Sequence, residues 1–297
     1  YNYMSQILVE LIKMADLIIN MTKAAACADR IGAVLTIEND QLEGSQKQTL
    51  RGAVEFRNVT AHYAGAGDAS LTDIDFSAGP GKTVGIIGGT GSGKTTLVNL
   101  IPRLYDAAQG QVLLDGKNVA DYDLESLRGQ IGLVPQKAVL FQGTIRENLL
   151  WGNPQATEED LWEALKVAQA EEVVKGKPKG LEEPVEQGGM NFSGGQRQRL
   201  TIARALVRHP RILILDDSAS ALDYATDANL RMAIRAMENP PTTFIVSQRA
   251  ASVRFADEIL VLDDGRLVGK GTHEALLESC PVYQEIYYSQ FPKEAAE

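Results

Sequence analysis

The residues best suited to chemistry form a glycine-rich turn, Gly88-Gly89-Thr90-Gly91-Ser92-Gly93-Lys94-Thr95, which fits the pattern G-x4-G-K-[ST]. It follows the apolar run Thr83–Ile87 and precedes a helical pattern that opens at Thr96. Glycines let consecutive backbone N–H groups surround phosphate oxygens, and a helix N-terminus adds positive potential. Lys94 would reach the β- and γ-phosphates, and the Thr95 hydroxyl would coordinate Mg²⁺. We therefore predict that residues 88–96 bind a magnesium nucleoside triphosphate.

A second group of candidate residues ends an apolar run, Ile212–Leu215, which is followed by Asp216 and Asp217. A buried strand that ends in a carboxylate beside a phosphate-binding loop suits a Mg²⁺ ligand acting through water. We assign that role to Asp216, and Asp217 lies where a water-activating base would be. Apolar strands often end in Asp, so this pattern alone is weak evidence for a metal ligand. It becomes strong evidence because a glycine-rich turn precedes it in the sequence.

A third group consists of Ser193, Gly194, Gly195 and Gln196. Ser193 and Gln196 have the spacing of a capping box, in which each side chain bonds the other residue's backbone N–H. The two glycines would leave backbone N–H groups accessible at the start of a helix. The pattern predicts a second anion site, separate from the first.

The elements that must position these residues follow an α/β pattern from Ala53 onward. Short runs that are apolar throughout suit the buried strands of a parallel sheet covered by helices. Three of them are Ile212–Leu215, Phe244–Val246 and Ile259–Leu262. A helix-rich block is predicted at roughly 144–206, where Thr144 to Glu147 and Thr157 to Asp160 each have capping-box spacing.

Ahead of this region, residues 1–38 are predicted to form one helix, and the polar residues 39–52 a linker. Apolar residues recur along the helix at steps of three and four, as a narrow seam that needs a partner: Met4, Ile7, Leu11, Met14, Ile18, Met21, Ala25 and Ala28. The pattern alone fits equally an amphipathic helix packed on its own domain and the cytoplasmic end of a transmembrane helix. The chain opens with Tyr1 rather than Met, which we interpret as a segment of a longer protein.

Composition narrows the classes of function. The net charge of −10, from 29 basic and 39 acidic residues, disfavours non-specific nucleic-acid binding, which needs clustered Lys and Arg. Cys27 and Cys280 lack the spacing of a metal site, and reduced thiols are favoured over a single disulfide. No run is long and apolar enough for a membrane-spanning helix.

The stretch Asn191–Arg199 resembles the signature motif of ATP-binding-cassette (ABC) proteins. It lies between the glycine-rich turn and Asp216, which is the order found in that family. In the family, this motif closes over the ATP of a partner domain, so that two domains enclose two ATP molecules. The resemblance covers residues 53–291 and implies a P-loop NTPase with a RecA-like core, an antiparallel β subdomain and an α-helical subdomain. It further implies that Tyr63 stacks on adenine, that Gln136 meets Mg²⁺ and transmits closure to the membrane half, and that the loop ending at Asp223 couples the two sites.

Three further stretches resemble ABC exporters: Ile101–Asp106, Leu140–Asn148 and Gly271–Leu277. The leading helix is also typical of exporters, which fuse this domain to their last transmembrane helix. The resemblance therefore implies a nucleotide-binding domain over residues 53–292, joined to a transmembrane domain of the same parent chain at the cytoplasmic face of the cell membrane.

The sequence departs from an active exporter at two positions. Asp217 stands where Glu is usual, and Gln248 where His is usual; Gln187 is a weaker difference before the signature. Asp is one methylene shorter than Glu, and Gln cannot carry a proton or positive charge as His can. We therefore expect Lys94, Asp217 and Gln248 to support ATP binding with slow hydrolysis, as in the degenerate half of a heterodimeric exporter.

Three alternatives remain open at this point. One is a homodimeric exporter in which Asp217 works slowly, and another is a regulatory ATP-binding module without turnover. A third is an ABC ATPase of DNA repair or chromosome organisation. That class carries long coiled-coil insertions, for which the short span between Gln136 and Ser193 leaves no room.

Overall fold

The computed structural model describes residues 1–37, 41, 44–63 and 69–291. The chain divides into two compact units, residues 1–42 and residues 43–297. The predicted linker at 39–52 crosses this division, and its residues 39, 40, 42 and 43 lie outside the described part. The predicted domain boundaries therefore stay predictions.

The first unit consists of one helix, α1 (Asn2–Leu35), which has no buried side chain. It was predicted to end near residue 38, which lies outside the described part, whereas the structure ends the helix at Leu35. The backbone N–H of Thr36 closes its last turn by donating to the Gly32 carbonyl at 2.9 Å, and the Ile37 N–H donates to the Val34 carbonyl at 3.3 Å. Among the described residues, no helix has both the length and the apolar run needed to cross a bilayer.

The larger unit contains strands of two kinds, fully buried and half-buried. In chain order the described strands are β1 (Val54–Ala61), β2 (Leu71–Ala78), β3 (Thr83–Gly88), β4 (Gln109–Leu114), β5 (Lys117–Asn118), β6 (Ile131–Val134), β7 (Gly143–Thr144), β8 (Pro184–Val185), β9 (Ile212–Asp216), β10 (Thr242–Val246), β11 (Glu258–Asp263) and β12 (Arg266–Gly271).

The main sheet has six strands in the order β12-β11-β3-β10-β9-β6. All neighbours run parallel except β11 and β12, which form an antiparallel hairpin. Every residue of β3, β9 and β10 is buried, which confirms the prediction of parallel strands covered on both faces. Since β10 lies between β3 and β9, the carboxyl ends of all three strands meet at one edge.

A second sheet, antiparallel and in the order β2-β1-β4-β5, covers part of the main sheet. Its residues belong to the same apolar cluster as one face of the main sheet, where Phe56, Phe76 and Phe244 form a chain of ring contacts. The predicted antiparallel subdomain is therefore present. A short pair, β7 and β8, lies within the helical block.

The helices of the larger unit are short, and most begin with a side-chain cap. In chain order they are α2 (Lys94–Leu100), α3 (Leu124–Gly129), α4 (Ile145–Leu150), α5 (Glu158–Val167), α6 (Glu171–Lys175), α7 (Gly194–Leu206), α8 (Tyr224–Arg235), α9 (Ala250–Val253), α10 (His273–Ser279) and α11 (Pro281–Gln290).

Three helices of the described residues begin with a complete capping box, in which both reciprocal bonds are present. These are α4 at Thr144, α5 at Thr157 and α7 at Ser193. These bonds confirm the predicted boxes. They could be predicted because each box depends on two residues three positions apart in the sequence. Cys27 and Cys280 are both free thiols, and Cys280 is buried.

The core consists of two apolar clusters, one on each face of the main sheet. Ile87 and Leu213 belong to the cluster with the helical block, while their strand neighbours Ile86 and Ile212 belong to the cluster with the antiparallel sheet. Successive strand residues point to opposite faces. Both faces are thus closed to water, and only the strand ends are left to carry polar chemistry.

Candidate nucleotide-binding site

The glycine-rich turn joins the end of β3 to the start of α2 at one edge of the main sheet. Gly93 has φ +93°, a left-handed conformation that favours glycine, and a Cβ there would lie 2.7 Å from the Ser70 carbonyl oxygen. At Gly88, a Cβ would lie 2.1 Å from the Leu262 carbonyl oxygen. By contrast, a Cβ at Gly89 or Gly91 would meet nothing within 4 Å. The outer ends of the loop therefore pack against protein, while its middle is open.

Lys94 is folded back into the turn. Its Nζ donates to the carbonyls of Gly88 and Gly89, at 3.0 and 2.5 Å, and to Ser92 Oγ at 3.3 Å. Lys94 is 8% exposed, and burial lowers its pKa while the nearby carboxylates Asp217 and Asp216 raise it. The buried ammonium group of Lys94 is thus bonded only to uncharged acceptors in these contacts. Phosphate oxygens, which are anionic, would bind it more strongly and could replace them.

The next residue, Thr95, joins the turn to β9. Its hydroxyl bonds both carboxylate oxygens of Asp216, at 3.2 and 2.9 Å. Asp216 is 6% exposed; burial raises its pKa, and the Thr95 hydroxyl and Lys94 counteract that rise. A hydroxyl and a carboxylate in contact are the oxygen donors that Mg²⁺ prefers. The two residues predicted as metal ligands from separate motifs therefore meet.

Asp217 and Gln136 also meet, although they follow different strands of the sheet, β9 and β6. Gln136 Nε2 donates to Asp217 Oδ2 at 3.2 Å. The backbone N–H of Asp217 donates to the Val246 carbonyl at 2.9 Å, and Asp217 has φ +45°. Burial raises the pKa of Asp217, which the bond from Gln136 and the charges of Arg249 and Lys94 lower.

One open cavity of about 370 Å³ joins these groups. Its walls include most of the residues predicted from the first two motifs: Thr90, Gly91, Gly93, Lys94, Thr95, Thr96, Asp216 and Asp217. Tyr63, Gln136 and Gln248, which the family resemblance singled out, line it as well. Ser70, Asp264 and Gly265 also line it and were not anticipated. The volume lies within the range of small-molecule pockets.

Tyr63 stands at the cavity wall, 36% exposed. Its hydroxyl shares a hydrogen bond with Thr96 Oγ1 at 2.8 Å. Its ring meets Tyr105 edge to face, with ring centroids 5.1 Å apart and planes at 85°. Tyr105 was not singled out from the sequence.

Ser193 and Gln196 form the predicted cap at the start of α7 but do not line the cavity. Ser193 Oγ accepts from the Gln196 backbone N–H at 3.3 Å, and Gln196 Oε1 accepts from the Ser193 N–H at 3.0 Å. A Cβ at Gly194 would meet nothing within 4 Å, whereas one at Gly195 would lie 3.1 Å from the Ala221 carbonyl oxygen. The start of α7 is thus open at Gly194 and lies apart from the cavity, and an anion site there stays a prediction.

Asp223 lies two residues after the 3₁₀ turn Ser218–Ala221, and it caps α8. Its carboxylate accepts from the Thr226 backbone N–H at 2.9 Å and from the Thr226 hydroxyl at 2.8 Å. Asp223 does not line the cavity either.

Comparison with known proteins fixes the family. A sequence model of the family described as ABC transporter matches residues 71–220, which is half of the chain. The chain belongs to the ABC transporter family. It is 45% identical to the uncharacterized ABC transporter ATP-binding protein YfiB of Bacillus subtilis, over 297 residues that make up all of this chain and 52% of that protein.

Two exporters resemble this ABC protein over almost the same span. It is 39% identical to the ATP-dependent lipid A-core flippase of Haemophilus influenzae, over 90% of the chain and 46% of the flippase. The solved structure of a bacterial Atm1-family ABC exporter with ATP bound matches with a TM-score of 0.84 and 32% identity, over 93% of the chain and 48% of that exporter. The chain spans about half the length of the relatives it matches. The match shows an ATP-binding domain of the ABC family, homologous to those of exporters.

Arg249 is a further residue of this ABC domain that the sequence analysis missed. It follows Gln248, and its guanidinium donates to the Ser220 carbonyl at 3.1 Å and the Leu222 carbonyl at 3.5 Å. These bonds connect the segment that carries Gln248, a residue of the cavity wall, to the loop that ends at Asp223. No local pattern signals this, because its acceptors lie on another segment of the chain.

Proposed function

We propose that the chain is the ATP-binding and ATP-hydrolysing motor domain of an ABC exporter. The observation that carries the proposal is the contact of Thr95 with Asp216 at the mouth of the glycine-rich turn, beside Lys94. The open middle of the turn offers backbone N–H groups to phosphate oxygens, and Lys94 and the start of α2 supply positive charge. Thr90 and Thr96 complete the polar lining.

The proposed metal is Mg²⁺, with Thr95, Asp216 and Gln136 as its protein donors. Among the described residues, no three His, Cys, Asp or Glu side chains cluster as a metal cage. That absence suits Mg²⁺, which in such sites takes few protein ligands and relies on phosphate and water oxygens. When bound, the ion would neutralise charge on the phosphates.

At this chain's own cavity, we propose that hydrolysis is slow. Asp217 is the base available to activate water, but its side chain is one methylene shorter than the usual Glu. Its backbone is fixed by the bond from its N–H to Val246, so a backbone shift cannot restore the lost reach. A displacement on the order of 1 Å can cost about a hundredfold in rate. Gln248 can donate an amide N–H but brings no positive charge.

We propose a second ABC nucleotide-binding domain as partner, most simply a different one, in a heterodimer. The intact cap from Ser193 to Gln196 would bind the ATP held by the partner's cavity, and the partner's cap would close this one. A homodimer with slow hydrolysis differs only in the partner's identity. A regulatory module that binds ATP without turnover is supported by the same two positions, Asp217 and Gln248.

We propose the transmembrane domain of the parent protein as another partner, and a groove beside the helical block is the evidence for it. Phe141 and Trp151 stack there with centroids 4.7 Å apart and are 44% and 65% exposed. The guanidinium of Arg204 lies 5.5 Å from the Phe141 ring centroid, and its buried Nη1 has no hydrogen-bond partner among the described residues. Exposed aromatics around a desolvated cation suit a protein partner that brings an acidic or carbonyl group. The proposed location is therefore the cytoplasmic face of the cell membrane, with α1 proposed as the cytoplasmic end of the last transmembrane helix of the parent protein.

The first experiment measures steady-state ATP hydrolysis by the purified chain and by a variant with both Asp217→Glu and Gln248→His. We expect slow turnover by the chain and a gain of at least tenfold in the double variant. Lys94→Ala in each background reports any contaminating ATPase. Brisk turnover by the unmodified chain would contradict the slow site, and so would an unchanged rate in a double variant that still binds ATP and dimerises.

The second experiment mixes the chain with a partner cassette that carries Glu and His at these two positions. Ser193→Ala in this chain should lower the turnover of the mixture, since it impairs the cap offered to the partner's ATP. Lys94→Ala in this chain should lower it much less, because this cavity contributes little hydrolysis. The opposite order would show that this chain's own cavity performs the turnover. Single-turnover measurements with and without the partner separate a slow enzyme from a regulatory module.

A further inference from the structure

Two contacts restrain the ring of Tyr63, and each restrains a different movement of the side chain. The first is the hydrogen bond of its hydroxyl to Thr96 Oγ1, at 2.8 Å. The hydroxyl oxygen lies on the axis through Cβ, Cγ and Cζ, about which χ2 turns the ring. This bond therefore fixes where the tip of the side chain lies, but leaves the ring plane free to turn.

The second point is the edge-to-face contact with Tyr105, in which the ring planes lie at 85°. Such a contact depends on the angle between the rings, because the edge of one carries partial positive charge and the face of the other partial negative charge. Turning Tyr63 about χ2 would lose this attraction. Tyr105 thus restrains the rotation that the hydroxyl leaves free.

The segment that carries Tyr105 is fixed without any help from the cavity. The Arg103 side chain is 4% exposed and bonds Asp106 through Nε at 2.6 Å. Arg128 Nη2 donates to the Arg103 carbonyl at 2.7 Å, and the Leu104 N–H donates to the Asn99 carbonyl at 3.0 Å. Bonds on both sides hold the backbone of Tyr105, so its ring offers a fixed reference for the orientation of Tyr63.

We propose that Tyr105 is a positioning residue that sets the plane of the Tyr63 ring and so prepares it to stack on the base of the nucleotide. The inference rests on the proposed ATP binding, together with the stacking of Tyr63 on adenine that the family resemblance implies. Tyr105 acts through Tyr63 rather than on the phosphates. An edge-to-face pair contributes enough to change an equilibrium constant by about two- to twelvefold.

The experiment compares the affinities of two ligands, Mg-ATP and Mg-tripolyphosphate, measured by calorimetry on the intact chain. Tyr105→Leu removes the ring, and we expect it to weaken Mg-ATP about three- to tenfold while Mg-tripolyphosphate, which has no base, is unchanged. Tyr105→Phe keeps the ring and should stay within about twofold of the parent. Phe255→Leu, at an exposed ring that does not line the cavity, serves as the matched control.

A double-mutant cycle with Tyr63→Leu makes the test specific. Once Tyr63 is gone, we expect Tyr105→Leu to have no further effect on the affinity for Mg-ATP. Additive losses would overturn the proposal, and so would an equal loss of tripolyphosphate binding in Tyr105→Leu, which indicates general damage to the fold. If Tyr63→Leu itself leaves Mg-ATP affinity unchanged, the assignment of Tyr63 fails and the proposal with it. If Tyr63→Leu weakens Mg-ATP but Tyr105→Leu does not, only the role of Tyr105 is refuted.

Discussion

The substitution Gly93→Ala tests whether the glycine-rich turn is fixed by its backbone as the structure has it. Two costs add at this position. A left-handed conformation, here φ +93°, costs a residue with a Cβ about 1–2 kcal/mol. The new Cβ would also lie 2.7 Å from both the Ser70 carbonyl oxygen and a Leu71 methyl carbon, and such overpacking costs about 1–3 kcal/mol. We expect a total loss of about 2–5 kcal/mol in the free energy of unfolding.

Two further glycines separate these costs. Gly116 has φ +81° but a Cβ there meets nothing within 4 Å, so Gly116→Ala should cost only about 1–2 kcal/mol. Gly89 has neither a left-handed φ nor a neighbour within 4 Å, so Gly89→Ala should change stability by no more than about 0.5 kcal/mol.

The assay is urea unfolding without nucleotide, followed by tryptophan fluorescence. Trp151 and Trp162 are the two tryptophans of the sequence, and both lie in the larger unit. The expected order of stability is Gly89→Ala, then Gly116→Ala, then Gly93→Ala. If Gly93→Ala unfolds at the same urea concentration as Gly116→Ala, the close approach of the turn to Ser70 is refuted.

Three more predictions concern single side chains. Asp216→Asn removes the one charged donor of the proposed metal site, so it should weaken the affinity for Mg²⁺ in the presence of ATP at least tenfold. The binding of tripolyphosphate in the absence of metal should stay unchanged, and titration of Mg²⁺ at fixed ATP checks the prediction. Ser193→Ala removes the acceptor for the Gln196 N–H and should cost about 1 kcal/mol in thermal unfolding; an unchanged melting temperature would contradict the cap. Burial lowers the pKa of His273, so the unfolded chain binds this proton more readily than the folded chain. His273 therefore favours folding fully above its ordinary pKa of about 6.5, and that contribution is lost as pH falls through its lowered pKa. His273→Gln should flatten the dependence of stability on pH in this window, whereas Tyr283→Phe, which removes the partner of His273, should leave the histidine titrating.

Local patterns allowed much of the site to be predicted. The turn at Gly88 to Thr95 and the cap at Ser193 depend on residues within eight positions of one another, so their physics is visible in the sequence. The buried strand β9 was recognised because it is apolar on both faces. Its end at Asp216 could then be placed beside the turn, since parallel strands end at a common edge.

Contacts between distant segments could not be predicted in this way. The bond from Gln136 to Asp217 and those from Arg249 to the loop before Asp223 join residues on different strands or loops, and no spacing encodes them. Tyr105 was missed because a lone tyrosine after a helix is ordinary in sequence. Its role depends on its contact with Tyr63, and only the fold brings the residues after β1 against the segment after α2.

The central claim is that the turn ending in Lys94 binds a magnesium nucleoside triphosphate. Calorimetric titration of the folded chain with Mg-ATP tests it most directly, with Lys94→Ala as the comparison. We predict saturable binding to one site by the parent chain and a loss of affinity of at least tenfold in Lys94→Ala. No heat of binding with the folded parent chain, or equal affinity in the two proteins, would contradict the account.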